Sequence, residues 1–144
     1  MNNPSLQTGN GIILHNDVQE IPKLTEFVEE TANQADLDMS VTMSLTLAIE
    51  EAVANVMKYA YPQGEVGSIE VNATLHEGSI VFTIKDNGTP FDPTLAKEPD
   101  LTLSAEDRNI GGLGIHLIRN IMDSVEYHYT GTQNVLTLSK NLNT

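Results

Sequence analysis

The chain has 144 residues, 40% of them hydrophobic and 19% charged, which suits one globular domain with its own core and leaves too little chain for two. Twenty acidic against seven basic side chains give a formal charge of −13, arguing against nonspecific binding to nucleic acid or to an anionic membrane. The absence of cysteine excludes disulfide scaffolds, thiol catalysis and cysteine-ligated zinc.

Residues 1–10 are polar, without the basic and apolar regions of a secretory signal, and are expected as a flexible N-terminus preceding a single domain over 11–142. With no apolar run near the roughly 20 residues of a membrane span, the cytoplasm is the expected location. Residues 11–15 read as an edge strand. Residues 18–35 carry Ile21, Leu24, Phe27, Val28 and Thr31 at helical spacing, with Asp17 as expected N-cap. The strongest helical pattern runs over 38–60, through Val41, Leu45, Ala48, Ile49, Ala52, Val53, Val56 and Ala60, and is stopped by Pro62 and Gly64. Alternating segments 68–75 and 79–85, joined by the turn-like His76-Glu77-Gly78, predict a β-hairpin. Residues 86–109 turn polar and irregular, as a lid over a site would. A third helix over 114–123 and two strands near 124–129 and 134–140 complete the order, which predicts an α+β two-layer arrangement.

Three stretches carry candidate chemistry. Glu51, Asn55 and Lys58 stand at i, i+4 and i+7, so a carboxylate, a carboxamide and an ammonium share one helix face. Asp86-Asn87-Gly88 ends a strand, but Pro90 and Pro93 follow too closely for a returning ladder strand. A carboxylate beside a glycine open to close approach suits recognition of an adenine amino group. Gly111-Gly112-Leu113-Gly114 precedes the third helix, where free N–H groups and the positive helix end can cradle phosphate oxygens. His15, His76 and His128 show no metal-ligand spacing, and His116 is assigned no role.

Taken in order, Glu51-Ala52-Val53-Ala54-Asn55, Asp86-Asn87-Gly88 and Gly111-Gly112-Leu113-Gly114 resemble the N, G1 and G2 boxes of the GHKL superfamily. The stretch through Tyr61, the run from Asp86 to Pro93 and the run from Gly111 to Asp123 look most like the anti-sigma-factor serine kinases, and the resemblance covers residues 12–142. It implies a largely antiparallel mixed sheet of about five strands, covered on one face by three helices, with a lid closing over ATP. It further implies Glu51 as general base toward a substrate serine, Asn55 as Mg²⁺ ligand and Asp86 as adenine contact. Gly88 would admit the ring, while Gly111, Gly112, Leu113 and Gly114 meet the phosphates; Lys58 is added as a phosphate neighbour from its spacing alone.

The implied partners are a small anti-sigma-factor antagonist as substrate and a sigma factor, with a homodimer compatible with the family. Three positions depart from the pattern. Tyr59 stands where these kinases commonly have histidine, Ile110 where a basic residue precedes the glycines, and the last strand lacks an obvious threonine for a water-mediated adenine contact. Two other readings remain alongside the kinase: an ATP-dependent partner-switching module with little turnover, and a histidine-kinase-like ATPase domain.

Overall fold

The computed structural model describes residues 8–62, 64–95 and 110–142. The chain opens with strand β1 (Thr8–His15), which starts earlier than the apolar run 11–15 suggests. Gly9 and Asn10 are poor strand formers, yet with Thr8 they are held by pairing with Thr74, Ala73 and Leu75; ladder formation overrides local propensity there. Asp17 caps a single 3-10 turn (Val18–Glu20), its Oδ1 accepting from Gln19 N at 2.9 Å. The α-helix α1 (Ile21–Gln34) therefore begins three residues later than periodicity alone places it, with Pro22 in its first turn.

Helix α2 (Met39–Tyr59) lies within the predicted bounds. Asp38 caps it, accepting from Val41 N at 2.9 Å, and burial of Leu45, Ala48, Ile49, Ala52, Val53 and Val56 marks the face turned to the sheet. Strands β2 (Ser68–His76) and β3 (Ser79–Asp86) form the expected hairpin. Its two turn residues, Glu77 and Gly78, have φ of 48° and 82°, as a type I′ turn demands. Helix α3 (Ile110–Ile121) is followed by β4 (Ser124–Tyr129) and β5 (Asn134–Asn141).

The five strands are ordered β1-β2-β3-β5-β4, and all four pairings are antiparallel. Alternation sends Leu14, Ile69, Val71, Ile80, Phe82, Ile84, Leu136 and Leu138 to one face, where α1, α2 and α3 bury them. Helix α2 packs against both α1 and α3. The antiparallel sheet with three helices on one face agrees with the α+β architecture expected from the element order. Most of the expected lid, residues 96–109, lies outside the described residues, as do residues 1–7 of the expected flexible N-terminus. Among the described residues no helix is long and apolar enough to cross a membrane.

Candidate functional site

Helix α2 carries two neighbouring glutamates that spacing alone treats alike, and packing separates them. Glu50 turns toward α1, where its carboxylate accepts from the Thr25 hydroxyl. Glu51 turns toward α3: a methyl group at Gly114 would stand 3.1 Å from Glu51 Oε2 and 3.0 Å from Asn55 Nδ2. The start of α3 thus rests on the Glu51–Asn55 face, and only a residue without a side chain leaves room between them. Asn55 is 5% exposed, and its Nδ2 finds no hydrogen-bond partner among the described residues. Leaving a buried amide unpaired costs about 1–3 kcal/mol, a cost that a hydrogen-bonding partner supplied from outside the described residues would remove.

The four glycine-box residues sit inside the first turns of α3, not ahead of it as expected from their sequence, because the helix begins at Ile110. The shift does not remove free amides, since the first four N–H groups of a helix have no intrahelical acceptor. Gly111, Gly112 and Leu113 therefore keep the amide supply the sequence suggested.

Asp86 closes β3 and is 3% exposed. Burial pushes its carboxyl above the ordinary range, against the opposing pull of two hydrogen bonds that favour the anion. Both bonds end on Oδ1, from Asn134 Nδ2 at 2.9 Å and Gly88 N at 2.8 Å. The loop beyond is fastened to the end of α2. Thr89 N donates to Ala60 O at 2.7 Å, and Asn87 N donates to the Tyr61 hydroxyl at 3.2 Å, which itself donates to Ser68 O at 2.6 Å. A methyl at Gly88 would meet Ala60 O at 2.3 Å; the glycine is thus demanded by helix–loop packing, a reason the expected admission of a ligand ring did not include.

The two halves of the site share one strut. Ala60, which holds the Asp86 loop, lies five residues beyond Asn55, about 7.5 Å along the helical axis. Lys58 projects differently from Asn55: it is exposed, its ammonium 6.0 Å from the Tyr59 ring centroid. Tyr59 in turn packs on Phe91, with ring centroids 5.2 Å apart. A wide cleft of about 900 Å³ lined by His15, Glu20, Met57, Tyr61 and Val66 contains none of the predicted residues. Its openness and scattered lining give it less chemical content than the α2–α3 face.

The model of the histidine kinase-like ATPase domain family matches residues 14–140. The chain belongs to this family. This histidine kinase-like ATPase domain is 34% identical over 102 residues to the serine-protein kinase RsbW of Listeria monocytogenes, covering 68% of the chain and 65% of that relative. It is 33% identical over 96 residues to the serine/threonine-protein kinase BtrW of Bordetella bronchiseptica, covering 67% and 68%. The chain spans about two thirds of the length of the curated relatives it matches. A crystal structure of the RsbU and RsbW domains of a Mycobacterium tuberculosis protein superposes with a TM-score of 0.68, covering 94% of this chain and 32% of that one. At 17% identity this last likeness concerns the fold.

One residue of the site escaped the sequence reading. Asn134, the first residue of β5 and 4% exposed, stands directly across from Asp86 in the ladder. A polar residue heading an otherwise apolar inward stripe of Leu136 and Leu138 was the available signal.

Proposed function

We propose that the chain binds Mg·ATP between α2, the Asp86 loop and the start of α3, and transfers the γ-phosphoryl group to a serine or threonine of a partner protein. The observation carrying this reading is the buried Asn55 carboxamide beside Glu51, its Nδ2 without a partner among the described residues, facing a glycine that keeps the space open. In this reading the carboxamide oxygen is a Mg²⁺ ligand, a hard-donor role an asparagine can fill. The metal would neutralise charge developing on the phosphates, which an acidic chain cannot do with many lysines.

Glu51, half-buried beside Asn55, accepts the proton of the attacking hydroxyl. Asp86 accepts from the adenine amino group, and the first-turn amides of α3 at Gly111, Gly112 and Leu113, with Gly114, hold phosphate oxygens. Lys58, near the open rim, is assigned to long-range attraction of the triphosphate.

The substrate we propose is a small anti-sigma-factor antagonist, with a sigma factor as alternative partner, and a cytoplasmic setting follows from both. Incubation with labelled ATP and such an antagonist should give stoichiometric phosphoserine or phosphothreonine. Glu51→Ala should remove phosphorylation and retain Mg·ATP binding, whereas Asn55→Ala and Asp86→Ala should each remove binding seen by calorimetry with the fold intact. Unaltered affinity in both of the latter variants would defeat the proposal.

A further inference from the structure

Asn134 uses all of its hydrogen-bonding capacity. Its Oδ1 accepts from Phe91 N at 3.0 Å and from the Tyr127 hydroxyl; its Nδ2 donates to Asp86 Oδ1 at 2.9 Å and to Thr89 O at 3.0 Å. The orientation of the carboxamide is forced by its neighbours. Phe91 N–H can only donate and Thr89 O can only accept, so rotating the amide by half a turn would set N–H against N–H and oxygen against oxygen. The side chain therefore presents a donor, never an acceptor, to Asp86.

From this geometry, and on the nucleotide reading above, we infer that Asn134 is a positioning residue for base discrimination: it holds Asp86 Oδ1 and leaves Oδ2 as an acceptor aimed at a 6-amino purine. Gly88 N occupies the same Oδ1, and among the described residues Oδ2 carries no hydrogen bond. A carboxylate kept in its acceptor-only form takes the amino group of adenine and repels a 6-oxo group. Asn134 also ties Thr89 and Phe91, the residues leaving the site, to the same carboxamide, so a displaced amide would disturb base contact and loop together.

The titratable groups around Asp86 are few. Tyr61 reaches in from the end of α2 and Tyr127 from β4, both held above the ordinary phenol range chiefly by burial, and Asp92 lies near Tyr127. Both tyrosines are thus neutral throughout the range from about pH 5.5 to about pH 8. Neither tyrosine therefore contributes a charge change over that range.

The test is Asn134→Asp, which keeps the shape and the Oδ1 acceptor while replacing the donor with a second carboxylate oxygen. Affinities for Mg·ATP, Mg·ITP and magnesium tripolyphosphate are measured by calorimetry between about pH 5.5 and about pH 8. In the wild type, any change on acidification should be a loss of ATP affinity, because protonating Asp86, whose carboxyl burial raises, removes an acceptor. In Asn134→Asp, ATP affinity should fall at least about tenfold at the upper end and recover on acidification, as the paired carboxylates come to share one proton. Tripolyphosphate affinity should be equal in the two proteins, and the preference for ATP over ITP should shrink in the variant. A wild-type pH slope in Asn134→Asp, or an equal loss of tripolyphosphate binding, would reduce Asn134 to a structural stitch and overturn the inference. Absence of Mg·ATP binding by the wild type would instead overturn the nucleotide reading itself. Should Asn134→Asp not fold, Asn134→Ser, which retains a donor, is compared with Asn134→Ala; equal loss of ATP preference in both refutes the inference.

Discussion

Gly114→Ala separates the site's function from its stability. Two opposed terms act on the fold. In the body of α3, alanine gains about 1 kcal/mol over glycine in helix propensity. Against this, the new methyl would sit 3.0 Å from Asn55 Nδ2 and 3.1 Å from Glu51 Oε2, about half an ångström inside the ordinary contact distance for such atoms. Both neighbours are side-chain ends that can rotate by a few tenths of an ångström, at about 0.5–1.5 kcal/mol of rotamer strain. The terms cancel to within about 1 kcal/mol, so urea denaturation should show nearly wild-type stability. Binding has no such compensation. The methyl occupies the space between the carboxamide and the carboxylate, and Mg·ATP affinity should fall at least about tenfold, or about 1.4 kcal/mol. Wild-type affinity in the stable variant would show that the α2–α3 face is not where the nucleotide sits. A loss of stability well beyond 2 kcal/mol would show that Asn55 cannot yield, contradicting the assumed freedom of its unpartnered amide.

Gly88→Ala has no comparable escape, because its methyl meets the Ala60 backbone oxygen at 2.3 Å. It should destabilise by about 2 kcal/mol or more and displace the Asp86 loop, read as a lowered urea midpoint together with lost ATP binding. Glu77→Gly relieves a side-chain-bearing residue of its left-handed φ of 48° and should raise stability by up to about 1 kcal/mol with unchanged nucleotide affinity; a lowered midpoint would contradict it. Asp86→Asn keeps an acceptor for Asn134 and Gly88 but removes a charge that burial disfavours. Because the folded-state pKa of Asp86 lies above its unfolded value of about 3.8, its ionisation costs stability above the folded pKa and the cost disappears as pH falls below the unfolded one. The variant should therefore be at least as stable as wild type at neutral pH, by a margin on the order of 1 kcal/mol, while losing adenine binding. A clear loss of stability at neutral pH would reverse that assignment.

Local signals made much of the fold legible in advance. Apolar spacing at 3.6 residues, stopped by Pro62 and Gly64, delimits α2, alternation on either side of a Gly-containing turn specifies the hairpin, and the same rules find β4 and β5. They err where tertiary pairing overrides propensity, as at the start of β1, or where a turn of 3-10 helix intervenes before α1.

For the site, sequence by itself determined which residues are chemically suited: Glu51 and Asn55 through a four-residue helical spacing, Asp86 and Gly88 through a strand end that cannot return, and the glycines of α3 through their clustering. Tertiary structure alone decided which of the adjacent glutamates faces α3, what Gly88 must avoid, and that Asn134 takes hold of Asp86 from 48 residues away. Spacing along one helix or strand is a local quantity, fixed by backbone geometry and visible in the chain. A hydrogen bond across two strands, or a methyl-sized gap between two helices, exists only once burial of Leu14, Phe82, Ile115 and Leu138 has drawn distant segments into one core.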